Sequence, residues 1–503
     1  MFKSHRGVIL HMDLVLYPRV APPDRLRVWL GVFAATAAPD LHWFLQSASR
    51  PGAPVIPVAL RAVSSVRPDA MFPPGVTSEE FPRAFTGVYE FSGLLPDTLY
   101  TITVQTGNQS TTLETRTLPR TVPTAFDRWL NVLLVSCFHQ AEDRQGLAGI
   151  IVSQLQSVAK PHLTVLAGDQ VYLDLPTLKD FPDDISWLAE KFEKDYTLNW
   201  RGPRGYTEIL SAAPSLSIPD DHEYWNNFPH PSPFIGNSLT PDGRHRWREA
   251  AQAMYAGFQL PYPAQLGEPV RFEIAPLSFF VADTRSTKDQ DRRFTMSDDA
   301  HQRMEQWVSE VIVNRQFGVF IAGQSLFTKA IGKIAGAAGD YELPNYADYG
   351  RILLCLQRLA DAGRPALCLT GDVHWGRVAS ATDIRTGRTA YTEVIASPVS
   401  LVTTIGQDQI RGVGAFFGGL FGSSNPWPRH SDPDDPPAFL ASAVLQGRFP
   451  CATQHRQKGN HVALLSFRQH GSGIEVRIKY WPITRNALVA QPSEIGPITL
   501  LGA

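Results

Sequence analysis

Five short motifs in the last three-quarters of the chain each carry a side chain able to ligate a metal. They are Ser136-Cys137-Phe138-His139, Gly168-Asp169-Gln170-Val171-Tyr172, Asp220-Asp221-His222-Glu223, Asp283-Thr284-Arg285 and Gly371-Asp372-Val373-His374. Three of them directly follow a short apolar run, as where a buried strand delivers its last residue to the rim of an α/β sheet. A carboxylate placed there, such as Asp169, can bridge two cations about 3.5–4 Å apart, the separation that two-metal hydrolysis uses. A thiolate from Cys137 among oxygen ligands favours a softer ion than Ca²⁺ or Mg²⁺. A phenolate from Tyr172 tilts the same site toward Fe³⁺. Between Pro219 and Trp225, four polar side chains in succession would be expensive to bury without ions or hydrogen bonds. Asp372 and His374, two apart, face the same side of an extended segment, so they serve two metals only if the chain bends there.

Strands must hold these side chains. Residues 131–135 read as a buried strand, 147–158 have helical spacing, and 163–167 form a second strand. That β-α-β unit implies a parallel sheet with a right-handed crossover. Later strands fit 277–282, 318–322, 366–370 and 392–396, with helices over 299–314 and 349–362. A hairpin over 463–467 and 474–480 closes the chain. Residues 7–118 have a different texture, with short alternating strands near 26–30, 60–63, 88–91, 99–104 and 111–117, which predicts a β-sandwich. Within it, Leu94-Leu95-Pro96-Asp97-Thr98-Leu99-Tyr100 has the form of a tyrosine corner. The sandwich is expected as an appendage without chemistry of its own. Residues 403–440, with the apolar, glycine-rich run 412–422, read as a loop or lid.

Bulk properties set limits. The chain has 503 residues, 43% hydrophobic and 19% charged, which suits one large decorated domain or two. A net charge of -2 gives no support to bulk nucleic-acid binding. Four cysteines make no disulfide framework, and Cys355 and Cys368 read as buried thiols. No secretory h-region, twin-Arg pair or membrane-length apolar run is present, so the cytoplasm is the default expectation, or the periplasm or exterior if a leader was removed. Oligomeric state is not legible.

In order and form, the motifs resemble those of the calcineurin-like metallophosphoesterases, and within them the alkaline phosphatase D (PhoD-like) family. The superfamily pattern is Asp-x-His, Gly-Asp-x-x-Asp, Gly-Asn-His-Asp/Glu and Gly-His-x-His. Here Cys137 and Tyr172 stand at Asp positions, and Asp221 and Asp372 at Asn and His positions, which are the replacements that mark the PhoD-like branch. The resemblance covers roughly residues 120–400. It implies an αββα metallophosphoesterase sandwich over 121–503, preceded by an all-β, immunoglobulin- or fibronectin-like domain over 1–120. It also implies Cys137, Asp169, Tyr172 and His374 at a first metal, and Asp169, Asp221 and Asp372 at a second, with Asn226 or Asn227 added. Fe³⁺ beside Ca²⁺ is the implied pair, with Mn²⁺ or Zn²⁺ as alternatives. Two departures stand out: Phe138 and His139 follow the Cys where the family often has Gln, and Gln324 occupies a strand end near the place of an extra His.

The expected activity is hydrolysis of small-molecule phosphomonoesters or phosphodiesters by a metal-activated hydroxide. His222 would protonate the leaving oxygen, and Arg285 would clamp a phosphoryl oxygen through its guanidinium fork. The plainer role for Arg285 is an ion pair with a nearby Asp. A phospholipase D-like activity, with 412–422 holding a hydrophobic group, is the alternative enzyme. A metal- or carbohydrate-binding protein without catalysis is the non-enzyme reading.

Overall fold

The computed structural model describes residues 12–75, 81–176, 181–330, 340–400, 447–484 and 491–502. The expected lid at 403–440 lies outside them, as does the 412–422 run on which the lipid-directed reading rests.

Two large sheets face each other. The first has ten strands, in spatial order Ser493–Leu501, Gly473–Pro482, His461–His470, Leu130–Val135, Leu163–Ala167, Ser215–Ile218, Asp13–Arg19, Arg25–Ala35, Arg83–Ser92 and Val58–Ser65. The second has seven, in the order Val270–Ile274, Leu277–Val281, Phe317–Ile321, Ala366–Thr370, Arg388–Ile395, Gly376–Asp383 and Cys451–Gln457. The strands that lead to the motifs pair in parallel within each sheet.

Their near-continuous apolar sequences follow from burial on both faces. Successive side chains alternate, so Val132, Leu134, Val165 and Ala167 meet Phe279, Val281, Val319 and Leu369 between the sheets. Leu133, Val135 and Leu166 point the other way, toward Ile151, Leu155, Phe192, Trp247 and Met254. Those partners lie on the helices Leu147–Ala159, Ile185–Arg201 and Pro241–Phe258. The outer face of the second sheet is covered in turn by helices Asp298–Val313 and Tyr349–Asp361, through Trp307, Val308, Leu353 and Leu356. The order helix, sheet, sheet, helix is the expected αββα layering. Helix starts carry their own signals: Asp184 accepts from the Ser186 and Trp187 amides, and Ser297 from Ala300.

The N-terminal strands form two layers. Arg50–Val55, His42–Ser47, Leu99–Thr106 and Gln109–Arg116 make a separate four-stranded sheet. It packs Trp43, Ile102 and Val104 against Leu26, Val28 and Leu30. The tyrosine corner forms, with the Leu95 amide donating to the Tyr100 hydroxyl at 3.0 Å. Other strands of this N-terminal region also join the larger sheet. Asp13–Arg19 pairs in parallel with Ser215–Ile218, so its strands extend the ten-stranded sheet. On the opposite face Trp29 packs on Phe258 and donates from Nε1 to the Gly257 carbonyl. Short-range alternation reveals such strands but not the distant strand beside which the first of them lies. Among the described residues no helix is long and apolar enough to cross a membrane.

Candidate metal centre

The site begins with backbone geometry. Leu130–Val135 runs into Ser136-Cys137, Leu163–Ala167 into Gly168-Asp169, and Ala366–Thr370 into Gly371-Asp372. At these ends the chain turns through left-handed residues: φ is 57° at Cys137, 56° at Asp169, 67° at Asp372 and 57° at His374, with 71° at Asn227. Such angles are uncommon for residues with a Cβ, and they persist where surrounding structure over-determines them. The two sheets abut here. A Cβ on Gly371 would lie 2.2 Å from the Ala167 carbonyl oxygen and 2.3 Å from Ser136 Oγ, and one on Gly168 would lie 2.6 Å from Asp220 Cβ. Only glycine permits that approach.

The bend required between Asp372 and His374 is present. The Val373 amide donates to the Gly371 carbonyl at 2.9 Å, and the His374 amide to the Asp372 carbonyl at 2.8 Å. These tight turns send the two side chains to different places. His374 joins Cys137 and Asp169, while Asp372 joins Asp220 and Asp221; within each trio the ligand atoms lie within 4.8 Å of one another. A third trio, Asp169, Asp221 and His222, meets the same limit. Asp169 thus belongs to both sides of the centre. Tyr172 Oη is 3.5 Å from His374 Nε2.

The donor set fits two cations. One side offers sulfur, imidazole, phenol and carboxylate, the other oxygen alone. Asn227 Oδ1 and Asp220 Oδ2 are buried without a hydrogen-bond partner, a situation native proteins rarely leave unexplained. Burial first, then Asp169 and Asp372, push the Cys137 thiol well above its ordinary pKa. Burial, then Asp221 and Asp169, do the same to the Asp372 carboxyl. Asp169 is also raised, by burial first, with His222 opposing and Asp221 adding. Acids gathered in this way ionise together only when positive charge is supplied.

Several residues hold the ligand loops in place. Glu223 accepts the amides of Asp169 at 2.9 Å, Gln170 at 2.6 Å and Asp220 at 2.8 Å, joining two of the loops. Ser136 Oγ accepts the Asp372 amide and lies 3.0 Å from Cys137 Sγ. Ser397 Oγ accepts the His374 amide and donates to the same sulfur. Sequence reasoning assigned no role to Glu223 and did not single out Ser397.

His222 lies at the centre, its amide 3.3 Å from Asp169 Oδ1 and its ring 4.2 Å from that of Tyr172. Its Nδ1 is 2.9 and 3.0 Å from the two oxygens of Asp174, a buried carboxylate that also accepts the Asn226 amide. Burial opposes the charged imidazole, yet Asp174, then Asp221 and Asp169, hold its pKa well above the ordinary value. Asp174 was missed in the sequence; its signal was a second Asp shortly after Gly168-Asp169.

Arg285 is fully buried. Nε donates to Asp220 Oδ1 at 2.5 Å, Nη1 to the Phe228 carbonyl at 2.9 Å and to Asp340 Oδ1 at 3.1 Å, and Nη2 to Asp340 Oδ2 at 2.7 Å. Its fork is occupied by carboxylates, which is the plainer ion-pair role expected for it. Asp283 accepts the Gly267, Arg285 and Ser286 amides and shapes a turn outside the three trios. Gln324 bonds Lys288 and Asp340 behind Arg285. His139 packs its ring 5.5 Å from Tyr172 and is in none of the trios.

Layering and site together define a class: a four-layered αββα sandwich with a two-sided donor set at its strand ends. The solved structures of similar fold include the two that follow. "Structure of PhoD" is similar over 96% of this chain and 88% of that one, at TM-score 0.61 and 14% identity. The purple acid phosphatase PPD1 from yellow lupin (Lupinus luteus) seeds is similar over 96% of this chain and 74% of its own, at TM-score 0.55 and 11% identity. At such identities the likeness is one of fold, and it agrees with the PhoD-like resemblance of the motifs. No family model matches the chain, and no curated protein sequence matches it.

Proposed function

We propose that this chain is a metallophosphoesterase that hydrolyses phosphomonoesters or phosphodiesters with two bound cations. The observation that carries the reading is Asp169, a buried carboxylate shared between the Cys137–His374 group and the Asp221–His222 group, whose Asp221 in turn belongs to the all-carboxylate group with Asp220 and Asp372. Cys137, Asp169, Tyr172 and His374 would hold the first cation. Asp169, Asp221, Asp372 and the free Oδ1 of Asn227 would hold the second. The donor types suit Fe³⁺ at the first place and Ca²⁺ at the second, with Mn²⁺ or Zn²⁺ as alternatives. When bound, such cations offset charge on phosphoryl oxygens and acidify water.

The protein's own contribution centres on His222. Asp174 occupies Nδ1, so Nε2 is the nitrogen left to carry a proton toward the leaving oxygen. Asp174 fixes the ring and stabilises its charged form, while Asp169 orients the segment through the His222 amide. The strained strand ends set the donors before any substrate arrives, the preorganisation that phosphoryl transfer relies on.

The test pairs metal analysis of purified protein with turnover of p-nitrophenyl phosphate, bis-p-nitrophenyl phosphate and an alkyl phosphate. Activity that disappears on chelation and returns with added cations is expected; a chelated protein of undiminished activity ends the proposal. His222→Ala should lower alkyl phosphate turnover by about 10²–10⁴-fold and nitrophenyl turnover far less. Equal losses would remove His222 as the acid.

A further inference from the structure

The geometry points to Asp220 as a direct ligand of the second cation, with Arg285 as the residue that turns one of its oxygens toward the metal. This rests on the two-cation reading above and extends it to a carboxylate outside the ligand set that the motifs imply. Asp220 is fully buried, and its ligand atom lies within 4.8 Å of those of Asp221 and Asp372. Its two oxygens are treated unequally. Oδ1 receives Arg285 Nε at 2.5 Å and Nη2 of the same guanidinium. Oδ2 is buried without a hydrogen-bond partner, in a capping box where the side chain faces the Glu223 amide. A lone carboxylate oxygen without a donor is an unfavourable state, and it is the state a cation relieves.

Arg285 has no freedom to do otherwise. Asp340 grips the far edge of its fork through two parallel bonds of 3.1 and 2.7 Å, and Gln324 Nε2 in turn holds Asp340 Oδ2 at 2.7 Å. Pinned from behind, the guanidinium presents Nε and Nη2 to Asp220, which leaves a single oxygen for coordination. Its charge also moderates a group of three carboxylates, bringing their sum closer to that of one divalent ion. Arg285 is therefore a positioning residue, acting through Asp220 at the cation rather than on phosphate.

The experiment measures cation binding to chelated full-length protein by calorimetry, using Ca²⁺ and Mn²⁺ separately, with iron content and the melting temperature of the cation-free protein read alongside. Asp220→Asn keeps the shape and a hydrogen bond to Arg285 but removes the ligand's charge. It should weaken binding at the oxygen-rich site by about 10–100-fold and leave iron content unchanged. Asp340→Asn alters charge by the same amount one residue further back, so it should weaken binding less than about 5-fold. If both variants weaken binding equally, Asp220 acts only through the field and is no ligand. If Asp220→Asn lowers the cation-free melting temperature and leaves affinity within two-fold, its role is structural and the inference falls. Wild-type protein that binds neither cation would instead sink the two-cation reading itself.

Discussion

Left-handed residues occur both in the N-terminal layers and at the metal centre, and the two regions use them differently. Asp97 sits exposed in the turn before Tyr100, where its neighbours are satisfied: the Leu95 amide meets the Tyr100 hydroxyl, and Thr117 Oγ1 meets the Leu95 carbonyl. At the centre, Cys137, Asp169, Asn227 and Asp372 hold the same backbone conformation while buried, and carry donor atoms that compete for too few protons. The first arrangement is complete as protein alone. On the proposed two-cation reading the second is complete only with ions, and its stability is then tied to their supply.

Asp169→Asn is the strongest test of this contrast. The variant should retain its far-UV circular dichroism, lose both cations, and fall in turnover by about 10³-fold or more. Full cation content in that variant would break the comparison. A buried polar group alone should behave otherwise, and His461 offers the control. It is fully buried, donates Nδ1–H to the Gly459 carbonyl at 2.6 Å, leaves Nε2 unpartnered, and belongs to none of the three trios. Burial, acting first and most strongly, holds its pKa down to about 4 from 6.5. The unfolded chain therefore takes up this proton first on acidification. Stability is fully present above pH 6.5 and is lost as pH falls toward 4, by up to about 3 kcal/mol. Urea unfolding across that range should show the slope in the parent and a flatter one in His461→Gln, with or without chelator; identical slopes refute the assignment. The smallest effect is expected from Tyr100→Phe. Loss of the corner hydrogen bond should lower stability by about 1 kcal/mol and leave kcat untouched. The decrement should be the same in chelated and loaded protein, since the cluster that holds Tyr100 includes none of the site residues; a cation-dependent decrement would mean the regions are linked.

Much of the site was legible because its chemistry is local. Gly168-Asp169 and Gly371-Asp372 each follow an apolar run, so residue order alone placed them at strand ends, and the helix expected over 299–314 forms as Asp298–Val313. What escaped was non-local. Asp340 lies 55 residues from Arg285, and no spacing rule links a guanidinium to a carboxylate so far along the chain. The parallel pairing of Asp13–Arg19 with Ser215–Ile218 was hidden for the same reason. Helices Ile185–Arg201 and Pro241–Phe258 were overlooked because their buried faces mix aromatic residues with Glu193, Asn199 and glycine, which blurs the apolar period. The strand Cys451–Gln457 is half-exposed and polar, as an edge strand can be, and gave no run to notice.

Glu223 carries one more consequence. It receives three backbone amides from two separate loops and is itself steadied by Gln259 Nε2 at 3.0 Å. A single side chain therefore latches the turn that delivers Asp169 and the turn that delivers Asp220 and Asp221. Each turn has a further anchor of its own, Asn199 Nδ2 on the Gln170 carbonyl and Arg285 on Asp220, but Glu223 joins the two, so loosening it slackens both. Loading and emptying of the two ion positions should accordingly proceed as one concerted event.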